Sequence, residues 1–171
     1  AKARVQWRLV ERSGVTSAQC TALLDEAHAA QPLQADLAVL VLGVNDVVDQ
    51  VPSQRAVAAR EALANRLRNV HGVAHVAFAP LPPVHRFPGL PQPLRWVAGA
   101  DARRHDDALR TWAAQRGDVS HVAIDYALEA QAMAHDGCHP GAEVYRACGE
   151  AIARHLAAWL AAHPRSLETS A

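Results

Sequence analysis

The sequence predicts an α/β domain, a mostly parallel sheet covered by helices on both faces. Three observations carry that prediction. Short apolar runs alternate with longer stretches of helical periodicity in the order β-α-β-α-β-α-β-α, the pattern of crossover-connected parallel strands. Leu37 to Leu42 is apolar at every position, as expected of a strand buried on both faces of such a sheet. That run stops at Gly43-Val44-Asn45-Asp46, which puts polar side chains just past a carboxyl strand end, the edge where open α/β sheets bind ligands.

Taken in order, Val5 to Val10 alternates apolar and polar residues and reads as a strand with one less buried face. Arg12 to Ser17 follows as a loop, with Ser17 as N-cap of a helix running to about Ala30. Pro32 ends that helix, and the Leu37–Leu42 strand follows. Pro52 and Ser53 open a second helix on which Ala56, Ala59, Leu63, Leu67 and Val70 recur at helical spacing, closed by His71-Gly72. Val73 to Ala79 is a strand. Leu81 to Trp96 holds five prolines and reads as a long loop. Asp101 to Gln115 is a helix, Val119 to Ile124 a strand, and Ala127 to Ala134 a short helix. The last helix runs from Gly141 to about Ala162, with Val144, Cys148, Ile152, Leu156 and Trp159 on one face. The whole chain of 171 residues reads as one domain with a frayed tail over 164–171.

Composition narrows the function classes. Lys plus Arg and Asp plus Glu both total 17, so the net charge is zero, and no basic patch interleaved with aromatics points to nucleic acid. No apolar run reaches the length of a membrane span. Cys20, Cys138 and Cys148 are an odd count without CxxC spacing, which indicates neither a disulfide framework nor a zinc knuckle and leaves the compartment open. His135, Asp136 and His139 stand close together, but no second cluster completes a metal shell.

Two constellations remain. Asn45 is either turn chemistry or a side-chain amide aimed into a site. Asp136-Gly137-Cys138-His139-Pro140 lies between the last strand and the last helix. There the carboxylate can bond one ring nitrogen of His139 and leave the other outward as a base, the arrangement of triad hydrolases; a surface turn with a capping Asp is the plainer alternative. Pro140 suits the start of the final helix.

These stretches carry a resemblance to a known family. Gly43-Val44-Asn45-Asp46 resembles the third sequence block of the SGNH, or GDSL-type, hydrolases. Asp136-Gly137-Cys138-His139-Pro140 resembles their fifth, and Ser13-Gly14-Val15-Thr16-Ser17 their second. Three blocks in the right order, each on the expected loop, span essentially the whole chain. The resemblance implies a flavodoxin-like three-layer α/β/α sandwich and hydrolysis of esters or thioesters, without metal or cofactor. It implies His139 as general base, Asp136 as its orienter, and the Asn45 amide with the Gly14 backbone N–H as oxyanion donors.

The family's first block, Gly-Asp-Ser, has no counterpart. It carries the nucleophile and follows a central strand, so the expectation is that the polypeptide continues before Ala1, with that strand and loop in roughly 30 residues or more. A second copy, a separate segment, or a chain that has lost the nucleophile are the alternatives. Ser13 and Ser17 flank Gly14 on the oxyanion side rather than against His139, and Cys138 reads as a small buried residue. Ser53, Ser120, Ser166 and Ser170 belong to a helix start, a strand and the tail. In the Pro-rich loop, Phe87, Leu90, Leu94 and Trp96 are candidates to wall an apolar acyl pocket, or else pack on the sheet edge; Arg86 and Arg95 read as solvated or as contacts for an anionic head group. The functional expectation is therefore a serine esterase, lipase or thioesterase acting on a small-molecule or lipid acyl ester. A non-catalytic binding domain on the same fold and an acyltransferase stand as alternatives.

Overall fold

The computed structural model describes residues 5–125, 133–137 and 139–163. Its centre is a three-stranded parallel sheet, β1 (Leu37–Leu40), β2 (His75–Phe78) and β3 (Val119–His121), in that spatial order. The register pairs Leu37 with His75 and Leu40 with Phe78, and then Val76 with Val119 and Phe78 with His121. Five α-helices and two short 3₁₀ turns, Ser17–Gln19 and Val84–Arg86, complete the described elements: α1 (Cys20–Ala30), α2 (Val44–Val48), α3 (Ser53–His71), α4 (Leu94–Ala113) and α5 (Ala142–Ala162).

Every residue of β2 is buried, because it is the central strand with a helix layer on each face. Phe78 points to one layer and meets the Trp112 ring of α4 edge to face, with centroids 5.7 Å apart. His75, three residues back and therefore on the opposite face, stacks on Trp159 of α5 at 4.5 Å. The layered α/β architecture expected from the sequence is thus the one observed. α3 ends on schedule at Gly72, in the left-handed conformation at φ 71°.

Several local expectations are corrected. Val5–Val10 forms no strand; an alternating pattern supplies a face, but a strand needs a neighbouring backbone to pair with. No described strand lies beside this stretch, and Val5, Trp7 and Leu9 are left exposed. In the described structure Leu37–Leu42 is not buried on both faces: among the described strands β1 pairs only with β2, and Val39 and Val41 are 38% and 74% exposed. The strands are shorter than expected, and the segment carrying Asn45 closes into the one-turn helix α2. Ser17 is not the N-cap; a 3₁₀ turn over Ser17–Gln19 precedes α1, and Thr16 caps it. α4 starts seven residues earlier than expected, inside the Pro-rich stretch. Its prolines cluster ahead of the first turn, where a missing N–H has no intrahelical partner to lose. Most of the short helix expected over Ala127–Ala134, with Cys138 and the tail over 164–171, lies outside the described residues; Met133 instead bridges Pro140.

Under α5, Ser120 accepts or donates at both of two imidazoles: Nε2 of His75 lies 2.8 Å and Nε2 of His155 2.7 Å from its hydroxyl oxygen. The hydroxyl has one proton and two lone pairs, so at least one of the two rings must donate to it. Burial, reinforced by His155 and His163 and opposed by Asp118, pushes His75 down to about 4. In the unfolded chain this imidazole takes its proton near pH 6.5. The unfolded state therefore binds more protons between those values, and stability falls as the pH drops through that window. Thermal melts should show a loss of up to about 3 kcal/mol from pH 7 to pH 4, and His75→Gln, which keeps a partner for Ser120 but cannot titrate there, should flatten that slope.

Candidate active site

Two loops at the carboxyl edge carry the Gly14 and Asn45 candidates, and the structure brings them together. Asn45, on the first turn of α2, donates from Nδ2 to the carbonyl oxygen of Val15 at 3.0 Å. Its neighbour Asp46 makes the deeper tie. Asp46 Oδ1 accepts the Ser17 N–H at 2.8 Å, and Oδ2 accepts the Ser17 hydroxyl at 2.5 Å. Arg60, from the middle of α3, closes the network with Nε donating to Ser17 Oγ at 3.1 Å and Nη2 to Asp46 Oδ2 at 3.0 Å. All three side chains are essentially inaccessible. Burial pulls the Arg60 guanidinium below its ordinary value, and Asp46 acts against that. Ser17 is thereby removed as a nucleophile candidate, since its hydroxyl is sealed in the core. Ser13 and Gly14 are exposed, and Gly14 sits at φ 78°.

Gly43 belongs to the same construction. A Cβ at this position would stand 2.4 Å from Nη2 of Arg60, and its φ of 121° disfavours any side chain. So Gly43 and Asp46 serve the buried pair, while Asn45 between them stays only partly buried, with Val15 O as its amide's one acceptor among the described residues.

The Asp136–His139 turn is built differently. Asp136 Oδ2 faces Nδ1 of His139 at 2.5 Å, and Oδ1 accepts the His139 backbone N–H at 3.0 Å. A carboxylate can only accept, so Nδ1 is the donor, and in the neutral ring Nε2 carries the lone pair. The His139 side chain is 75% exposed. The turn is pinned by its backbone: Ala134 N–H donates to His139 O at 2.8 Å, and Gly89 N–H donates to Gly137 O at 3.0 Å. Gly137 has φ 65°, and a Cβ there would lie 2.7 Å from the Gly89 nitrogen. Part of the Pro-rich segment thus braces the His139 turn. Among the described residues no hydrogen bond joins this turn to the Gly14–Asn45 pair.

The four residues expected to wall an acyl pocket do not form one wall. Phe87 is buried in the core and Leu90 packs against it, whereas Leu94 and Trp96 are 53% and 67% exposed on the first turn of α4. A cleft of about 370 Å³ opens nearby, but it is lined by Pro82, Arg86, Arg103, Asp106, Arg110 and neighbours, and by none of those four. Within it burial would raise the Asp106 carboxyl, but hydrogen bonds from His121 and the Leu81 amide and the nearby Arg110 hold it below its ordinary value. No group of three His, Cys, Asp or Glu among the described residues is placed to hold a metal ion.

Sequence reasoning missed Arg60 and Asp46. The trace was present: Arg60 stands in the apolar stripe of α3, four residues after Ala56 and three before Leu63, and a charge in a core-facing stripe demands a buried partner.

Comparison with known proteins places these features in context. The model of the GDSL-like lipase/acylhydrolase family matches residues 1–147. Three solved structures share the fold. A protein of Streptococcus pneumonia, assigned provisionally as a platelet activating factor, superposes with a TM-score of 0.68 at 18% identity, over 84% of this chain and 69% of its own. A carbohydrate esterase family 3 protein of Talaromyces cellulolyticus gives 0.66 at 16% identity, over 86% and 69%. A GDSL-like lipase of Bacteroides thetaiotaomicron gives 0.63 at 19% identity, over 86% and 74%. Among curated proteins none matches the chain.

The close approach at Gly43 yields a direct test. Gly43→Ala is expected to lower the unfolding free energy by about 2–4 kcal/mol, from backbone strain plus displacement of the Arg60 guanidinium. Urea denaturation measures it; an unchanged midpoint would show that the guanidinium does not occupy this position.

Proposed function

The chain belongs to the GDSL-like lipase/acylhydrolase family, and from that premise we propose that it is the body of a serine ester hydrolase. The observation that carries this reading is the Asp136–His139 pair, with Nδ1 held at 2.5 Å by the carboxylate and the other ring nitrogen facing outward. The substrate is an acyl ester or thioester. A serine supplied from outside residues 1–171 attacks the acyl carbonyl. Its proton passes to His139 Nε2, and Asp136 stabilises the resulting imidazolium. The carbonyl oxygen becomes an oxyanion, which the Gly14 N–H and the free Asn45 amide hydrogen meet. Collapse expels the leaving alcohol or thiol, which takes the proton from His139. Water then repeats the sequence and releases the acid.

Two features support a nucleophile from outside these residues. Ser17 is sealed against Asp46 and Ser120 against two imidazoles of the opposite sheet face. The outer edge of β1 pairs with no described strand, and Val39 and Val41 beside it are exposed. We place the strand that carries the nucleophile against that edge.

The test is hydrolysis of short p-nitrophenyl esters by the whole polypeptide. His139→Ala is expected to reduce kcat by about 10³-fold or more, and Asn45→Ala by about 10²-fold, with melting temperatures nearly retained. Full activity in the His139 variant would overturn the reading. Ligand binding with no turnover by the unaltered polypeptide would favour a non-catalytic binding domain, and acyl transfer to an added alcohol in preference to water would favour an acyltransferase.

A further inference from the structure

We propose that Arg60 is a positioning residue for the oxyanion donors, acting through Asp46 and Ser17; this rests on the roles of Gly14 and Asn45 proposed above. Gly14 lies three residues before Ser17, and Asn45 is the neighbour of Asp46, so whatever fixes Ser17 against Asp46 fixes one donor against the other. The stretch leading into the Gly14 loop, Val5–Val10, is not part of the described sheet. Among the described residues no strand carries the loop, and its ties to the rest of the described structure include its bonds to the 43–46 turn. Those bonds are the two from Ser17 to Asp46 and the one from Asn45 to Val15.

Arg60 sets the direction of the first two. With Nε donating to Ser17 Oγ at 3.1 Å, that oxygen is an acceptor toward α3 and must give its own proton to Asp46 Oδ2. With Nη2 donating to the same Oδ2 at 3.0 Å, the Asp46 carboxyl is held facing Ser17 and α3. The guanidinium makes both contacts from one rigid plane, which an ammonium cannot reproduce. The arrangement also has costs: Nη1 is buried with no hydrogen-bond partner among the described residues, and a side chain at Gly43 would meet the guanidinium. A buried ion pair is often no more stabilising than apolar residues of equal volume. An arrangement that leaves a donor unmet and takes up a glycine is better accounted for by the position it enforces.

The test uses Ser17→Ala and Arg60→Lys in the whole polypeptide, with ¹H–¹⁵N spectra of the Gly14 amide and the Asn45 side-chain amide alongside ester kinetics. Both variants are expected to move and broaden those two signals and to lower kcat about ten- to a hundredfold, with KM nearly unchanged. Signals that stay in place while only the melting temperature falls would overturn the proposal and leave the network as a plain core contact. Should Arg60→Lys not fold, Ser17→Ala, which keeps the ion pair, decides it. Should the unaltered polypeptide show no esterase activity, the functional reading fails, and the two signals still decide whether the clamp sets the donors' geometry.

Discussion

A charge pair in the core is the constraint to which the carboxyl edge of this protein conforms. Arg60 and Asp46 are withdrawn from water almost completely, and breaking such a pair from one side typically costs about 3–5 kcal/mol because the remaining charge is stranded. Meeting that demand shapes four elements. α3 must run close beneath the 43–46 turn for its arginine to reach. The turn must begin with glycine, since the guanidinium occupies the Cβ position. Asp46 must project inward, which on a one-turn helix leaves Asn45 beside it toward the surface. Ser17 must turn in, so the helix start passes to Thr16 and the entry to α1 becomes a 3₁₀ turn.

The two halves of the candidate site are stabilised by opposite means. The Gly14–Asn45 half is held by buried charge-assisted hydrogen bonds, which are short, directional and insulated from solvent. The Asp136–His139 half stands in solvent and is held by its own carboxylate and by backbone contact between Gly137 and Gly89. That division fits the proposed reaction: oxyanion donors act best when preorganised, whereas a general base must exchange its proton with a leaving group and with water. The Pro-rich segment takes part as a brace, with Phe87 anchored in the core and Gly89 against the turn, while α4 grows out of its last proline.

The sequence by itself determined the layered α/β architecture, the helices α3 and α5, and the stretches that hold the candidate residues. Each of these rests on local information: periodicity, strand-ending glycines, and an Asp three residues before a His. The Asp136–His139 bond was legible for that reason, because both partners lie in one turn. Tertiary structure alone decided the rest. The apolar run at Leu37–Leu42 looked like an interior strand, but which strand is central depends on which backbones lie beside it, and among the described strands β2 is the one flanked on both sides. Val5–Val10 had the alternation of a strand and no described partner. Asp46 read as a turn residue and Ser17 as a cap, since each is competent for that local role; an arginine 14 residues beyond one and 43 beyond the other claimed both. Pairings across such separations leave no periodic trace, so only the folded chain shows that Arg60, Asp46 and Ser17 meet.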